Sequence, residues 1–363
     1  MANHQLKITT LTPLHIGDGT ELEKDIDYVV KDDRTYRVNI DAVLETYADR
    51  MRPVRGEYPL PGQLLQPEDY EKARFFRYIA PGAPRSGKAV AKLRSCIKDV
   101  HDRPYLPGSS LKGAFRTALA WSGWDQAIGK VSRTDIGERR SWAGQDLEHR
   151  LFGKDPNHDL MRALQFSDCC LPEGTKGRII VVNANVLTQK SSQSPIELEA
   201  IAGSQTFEGS LRIDENLFSP MAERELRFST RRAWLDELFA RSRAHSLGRI
   251  QHLREWFDQR ERASQDASAI LRFLDQLANA KLSDNQTVIQ VGWGGGWDSK
   301  TFWKHIQKDP RLFESLVRDF RMSKAGDQTA PRQPGDPFPR SRRLVMKNLR
   351  PVAPFGWLLV ELS

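Results

Sequence analysis

Cysteine is scarce in this chain, and long apolar runs are missing altogether. Three cysteines, Cys96, Cys169 and Cys170, stand without C-x-x-C spacing and cannot form a disulfide framework. Cys169 and Cys170, in "LQFSDCC", follow a strand-like run and read as small buried apolar residues. No apolar stretch approaches the roughly 18 residues that a membrane-spanning helix needs. The opening "MANHQLKITT" has no charged segment leading into an apolar one, so it does not read as a secretory signal. The expectation is a soluble, cytoplasmic chain with no membrane partner.

Motifs for nucleotide and metal chemistry are equally thin. A phosphate loop requires G-x-x-x-x-G-K-[ST], and "LPGSSLKGAF" does not fit it. In "GWGGGWDSKT", Ser299 stands where the second glycine should precede Lys300 and Thr301. The dinucleotide pattern G-x-G-x-x-G fails too, because Trp297 occupies its third glycine position. Among 8 histidines there is no H-E-x-x-H, and His245 and His252 are too far apart in sequence for an ordinary ligand pair. His101-Asp102 and His158-Asp159 read as local turn chemistry. Asp25 and Asp27 form a carboxylate pair of a kind that RNA cleavage uses, but their default reading is polar loop residues. These absences leave no cofactor, metal or catalytic residue to name.

What the chain does hold is positive charge. Lys and Arg total 55 against 47 Asp and Glu, a net charge of +8 over 363 residues. Nucleic acid is the commonest polyanion that such a surface meets. Arginine carries much of the charge, and its planar fork suits phosphate better than a lysine does. The 39% hydrophobic content belongs to a globular chain, and the length predicts more than one domain.

Periodicity predicts a mixed α+β fold. Residues 6–16 alternate as a strand, "GDGT" breaks it, and 25–41 read as a hairpin turned at Asp32-Asp33. A helix capped by Asp41 follows, a second helix spans 68–79, and a third runs from Ser109 to Trp121. Strands are expected near 164–168, 178–187 and 205–213, and long helices between 222 and 281. In those helices Ile250, Leu253 and Phe257 share one face, as do Ile270, Phe273, Leu274 and Leu277, with Arg249, Arg254, Arg260 and Arg262 opposite. Residues 324–341 read as a mobile loop and "GWLLVELS" as a closing strand.

Two stretches have the makings of an anion site. In "YLPGSSLKGAFRTALAW", Gly108 permits a turn and Ser109 or Ser110 is expected to cap a helix. Lys112 and Arg116, four apart, share a face near its positive end. In "VIQVGWGGGW", Gly292, Gly294, Gly295 and Gly296 remove side chains where another backbone must come close. Trp293 and Trp297 flank them and Lys300 follows, a combination that suits a sugar–phosphate backbone with unstacked bases.

"LTPLHIGDGTELEKDIDYVV", "PYLPGSSLKGAFRTAL", "VGWGGGWDSKT" and "PRSRRLV…PFGWLLVEL", in that order, resemble the RAMP superfamily of CRISPR effector proteins. Their spacing is most similar to the capping subunit of type III-A (Csm) complexes. The resemblance implies ferredoxin-like, RRM-related modules with a helical insertion: a RAMP domain at 1–215, a helical region at 216–285 and a RAMP-like portion with the glycine loop at 286–363. It implies a non-catalytic RNA-binding subunit gripping the guide near its 3′ end. The partners would be CRISPR RNA, the repeated backbone subunit and the small helical subunit, with target RNA as a further one. By motif position, His15, Gly17, Ser109, Lys112 and Arg116 would line the guide path, with Gly292 to Gly296 and Lys300 nearby, and Arg340, Arg342 and Arg343 as further contacts. The alternative within the superfamily is a CRISPR RNA-processing endoribonuclease using His15.

Overall fold

Alternation at the N-terminus sets the frame. Leu6 and Ile8 turn inward while Gln5 and Lys7 face water, the period-2 pattern of a half-buried strand. The computed structural model describes residues 3–53, 55–85, 92–188, 196–264, 267–323, 332–336, 338–348 and 350–363. In it Asn3–Thr10 lies inside a five-stranded antiparallel sheet, between Trp357–Leu362 and Thr206–Ile213. Gln286–Gln290 and Leu164–Phe166 form that sheet's edges. Ile8 stands opposite Phe207 on one side and Val360 on the other, so the two ends of the chain share one ladder.

Each face of this sheet is covered by helices. Leu6, Ile8, Phe207, Leu358 and Val360 pack with Leu111, Phe115 and Leu119 of the Gly108–Ser122 helix. The next residues along the strands, Val288 and Trp357, join Ile250, Leu253 and Phe257 of the long helix Leu238–Ser264 and Ile270, Leu274 and Leu277 of Ser268–Ala278. The helical spacing read from sequence therefore marks the faces that are buried. The side chains of Arg260 and Arg262 lie outside the described residues, as does half of the expected 324–341 loop.

A second sheet orders Arg350–Pro354, Ser341–Lys347, Ile179–Thr188, Ile196–Ile201, Lys92–Cys96 and Gly17–Glu23. It too joins both ends of the chain, so the stretches before 216 and after 285 share sheets. A small third sheet holds Tyr28–Lys31, Arg34–Val38 and Phe76–Pro81. With 40% helix and 28% strand the fold is α+β. Among the described residues no helix is long and apolar enough to cross a membrane, and no group of three or more potential ligands is placed to hold a metal.

Several local expectations differ from the structure. "GDGTELE" is itself a strand, paired with Lys92–Cys96, where the sequence reads as a break. Residues 68–79 form short 3-10 turns leading into the Phe76–Pro81 strand. Pairing with Arg34–Val38 overrides the helical propensity of their Glu, Lys and Ala. Asn39, not Asp41, caps the helix Ile40–Thr46. The hairpin turn matches the reading: Asp32 and Asp33 both take left-handed backbone, as a two-residue turn requires. Of the adjacent cysteines, Cys169 is buried but Cys170 is exposed, because successive residues of extended chain face opposite ways.

Candidate nucleic-acid interface

The Gly108–Ser122 helix starts against the end of Leu164–Phe166. A Cβ on Gly108 would lie 2.4 Å from the Phe166 carbonyl oxygen, which explains glycine there. Neither serine caps the helix. Pro107 is the N-cap residue, and the Gly108 N–H donates to the Asp168 carboxylate at 2.8 Å. A protein carboxylate therefore already occupies part of the expected anion site.

The face beside Asp168's cap is open instead. Ser109, Ser110, Gly113, Ala114 and Thr117 line a cavity of about 490 Å³. Its other walls are His15 and Gly17 from the N-terminal loop, Gln290 to Trp293 from the glycine loop, and Lys300. Three segments far apart in sequence thus converge on one cavity, and each carries one of the motifs read from sequence. Gly113 sits mid-helix with nothing within 4 Å of its Cβ position. Gly113, Thr117 and Gln290 are not among the residues that the sequence singles out. The signal was a helix-interior glycine, which costs about 1 kcal/mol relative to alanine and so points to a need for space.

His15 is a pillar of this cavity. It is 3% exposed, and its Nδ1 lies 2.7 Å from the Glu199 backbone oxygen, a pure acceptor. Nδ1 therefore carries the proton and Nε2 faces Gly17, whose Cβ position is 3.1 Å away. Burial pushes the His15 pKa below its ordinary value, so the ring is neutral at pH 7. Glu199 is in turn held by Tyr78, Lys98 and the Cys96 N–H, a buried network that the sequence did not announce.

The glycine loop closes over His15. The Trp293 N–H donates to the His15 carbonyl at 2.8 Å. Gly292 has φ +78°, and a Cβ there would lie 2.5 Å from the same oxygen. Gly294, at φ +93°, would meet Phe355 at 2.7 Å. The close backbone demanded by "GWGGG" is thus the protein's own. Gly295 and Gly296 continue the turn towards Ser299 and Asp298.

The predicted cations separate into three groups. Lys300 is exposed and lines both the cavity and an adjoining groove of about 550 Å³ that also holds Trp297 and Arg340. Trp297 is 37% exposed there, beside Trp303 and Phe338 at 5.4 and 5.1 Å. Arg343 is exposed, with its guanidinium 4.9 Å from the Trp293 ring. Arg116 instead pairs with Asp159 at 2.6 Å and Glu148 at 3.2 Å and lies over Phe152, on a flank that does not line the cavity. Lys112 is half-buried on the same flank, where burial lowers its pKa and Asp159 opposes the shift. Arg342 is buried, its Nη2 3.0 Å from Asp298.

The Asp25 and Asp27 pair, read from sequence by default as polar loop residues, sits in a local turn. Asp27 accepts from Arg37 at 3.0 Å and from the Glu23 N–H at 2.9 Å, and Asp25 takes a left-handed turn conformation.

Residues 7–297 match the family model of the RAMP superfamily. A protein of Methanocaldococcus jannaschii described as "CRISPR system Cms protein Csm5" is 21% identical over 391 residues, covering 99% of this chain and 88% of its own. A chain from a cryo-EM structure of a type III-A Csm–crRNA–target RNA ternary complex superposes with a TM-score of 0.70 at 19% identity, over 99% of this chain and 100% of that one. The crystal structure of T. onnurineus Csm5 superposes at 0.65 and 18% identity, over 97% and 99%. At these identities the structural likeness speaks for the fold.

Proposed function

The chain belongs to the RAMP superfamily, and from that premise we propose that it serves as the fifth Csm subunit of a type III-A CRISPR ribonucleoprotein. In this reading it grips the guide RNA backbone near the 3′ end, caps the filament of repeated backbone subunits and cuts nothing itself. The Csm5 description of the archaeal relative supports the subunit assignment. The crRNA and target RNA named for the ternary complex support CRISPR RNA, other Csm subunits and target RNA as partners. The small helical subunit is a further proposed neighbour.

One observation carries the RNA reading: His15, Gly17, Ser109, Gly292 and Lys300 converge on a single open cavity with a bare helix face as its floor. A cation at the lip and small residues on the walls suit a phosphate backbone that must pass whatever its bases are. Lys300 leads from the cavity to the exposed face of Trp297, where an unstacked base has an aromatic surface. Sequence-independent grip fits a guide whose spacer varies.

The test is CRISPR RNA binding across a salt series, with intact protein and Lys300→Ala. Removing one phosphate contact should lower the slope of log K against log salt by about 1 and weaken binding uniformly across sequences. An unchanged slope would remove Lys300 from the path. Cutting of a repeat RNA that His15→Ala abolishes would replace this reading with the processing endoribonuclease.

A further inference from the structure

A second cavity, of about 540 Å³, opens between the C-terminal turn of the Gly108–Ser122 helix, the long helix and the segment after the glycine loop. Its electrostatics are unbalanced. Asp298 is 3% exposed and meets two buried guanidiniums, Arg249 Nη1 at 3.1 Å and Arg342 Nη2 at 3.0 Å. Burial disfavours the charged Asp298, but Arg249 and Arg342 outweigh it and hold the carboxyl below its usual pKa. Lys304 adds a third cation in the cavity wall, its pKa lowered by burial.

The histidines do not redress the balance. Burial and the neighbouring cations bring His245 and His252 to about 3, and burial lowers His305 as well. All three are neutral at pH 7. At the rim Lys308 and Asp125 face each other at 4.0 Å and cancel, and Glu255 lies on the solvent side. Two buried guanidiniums therefore share one buried carboxylate, while half-buried Lys304 faces exposed Glu255 as well as Asp298. An unmatched charge away from water is costly unless something pairs with it. Hydrogen-bonding capacity is also unspent at His305 Nδ1, which is buried without a hydrogen-bond partner.

We propose that this cavity binds the phosphoryl group of a nucleotide against Arg249 and Lys304, with Trp121 and His305 beside the nucleoside. The volume lies within the roughly 300–1,000 Å³ of small-molecule sites and exceeds what a lone phosphate needs. Trp121 stands 5.6 Å from His245 and 5.4 Å from His305, an aromatic wall next to the cationic one. The neutral imidazoles supply hydrogen bonds without a fixed charge. The nucleotide is either free or the terminal residue of an RNA. This inference is independent of the proposed guide path, which runs through the other cavity and Lys300.

Calorimetric titration of the full chain at low salt tests it, using adenosine 5′-monophosphate, adenosine, and short RNAs ending in a 3′-phosphate or a 3′-hydroxyl. The monophosphate is expected to bind saturably and at least tenfold tighter than adenosine. Lys304→Gln, at a half-buried position, should weaken it about tenfold, and Ser122→Asp, which adds a carboxylate to the wall, by at least as much. Lys300→Ala should leave it unchanged, which separates this site from the guide path. Preference for the 3′-phosphorylated RNA, lost in Lys304→Gln, would identify an RNA terminus; binding of the monophosphate without that preference would identify a free nucleotide. Equal binding of adenosine and its monophosphate, no saturable binding of any phosphate compound, or affinity indifferent to both substitutions would overturn the proposal.

Discussion

Gly113 separates folding from RNA grip in a single position. It lies inside the Gly108–Ser122 helix, exposed to the cavity, with nothing within 4 Å of its Cβ position. Replacing a helix-interior glycine with alanine is worth about 0.5–1 kcal/mol of stability when no clash follows. Over 363 residues the unfolding entropy is about 0.8 kcal/mol per degree, so Gly113→Ala should raise the melting temperature by about 1 °C. Gly113→Glu should fold as well as the parent, since glutamate is also a better helix former. Its carboxylate, however, would stand in the cavity. One charge about 6 Å from a phosphate, at an effective dielectric of 20–60, costs about 1–3 kcal/mol, roughly 5- to 150-fold in affinity. Fluorescence anisotropy with a labelled CRISPR RNA at moderate salt reads the affinity, and urea unfolding reads the stability. A Gly113→Glu protein that is fully folded and binds RNA within twofold of the parent would remove the cavity from the RNA path.

Gly292→Ala forces left-handed backbone on alanine and drives its Cβ into the His15 carbonyl, so urea unfolding should show a loss of about 2 kcal/mol or more. Arg116→Ala should cost about 1 kcal/mol of stability, discounted for solvent around Glu148, while leaving RNA affinity within about twofold in the same anisotropy assay. Asp298→Asn leaves two buried guanidiniums without their carboxylate and should destabilise by about 3–5 kcal/mol on thermal or urea unfolding. His245 and His252, at about 3 in the fold, take up protons only in the unfolded chain below pH 6.5. Stability should therefore fall with pH between about 6.5 and 3, by up to about 1.4 kcal/mol per unit for each histidine, and His252→Gln should remove part of the slope in melts from pH 7 to 5.

Local signals in the chain reached a good part of the fold. The Asp32-Asp33 turn, the Gly108–Ser122 helix and the apolar faces of the 222–281 helices were legible because turn chemistry and helical period act over a few residues. The Phe76–Pro81 strand was not, because its state is decided by pairing with Arg34–Val38 some forty residues earlier. Lys112 and Arg116 read as one anion-facing pair. Sequence spacing places them on one helix face but says nothing of what meets that face, and Asp159 and Glu148 come from later segments. Arg342 and Arg343, adjacent in "PRSRRLV", show the same limit: strand alternation sends one to buried Asp298 and the other to the surface over Trp293.

By itself the amino-acid sequence determined that this is a basic α+β chain whose glycine-rich turns serve close backbone approach, and the order of its motifs resembled the superfamily to which it belongs. Those properties reside in residue type and short spacing. Tertiary structure alone decided that His15, Ser109, Gly292 and Lys300 line one cavity, that the backbone approaching Gly292 is His15's own, and that Arg249 and Arg342 share a single buried carboxylate. Which groups become neighbours depends on long-range strand pairing and on which charges the packed core strips of water, and neither is written in any one stretch of the chain.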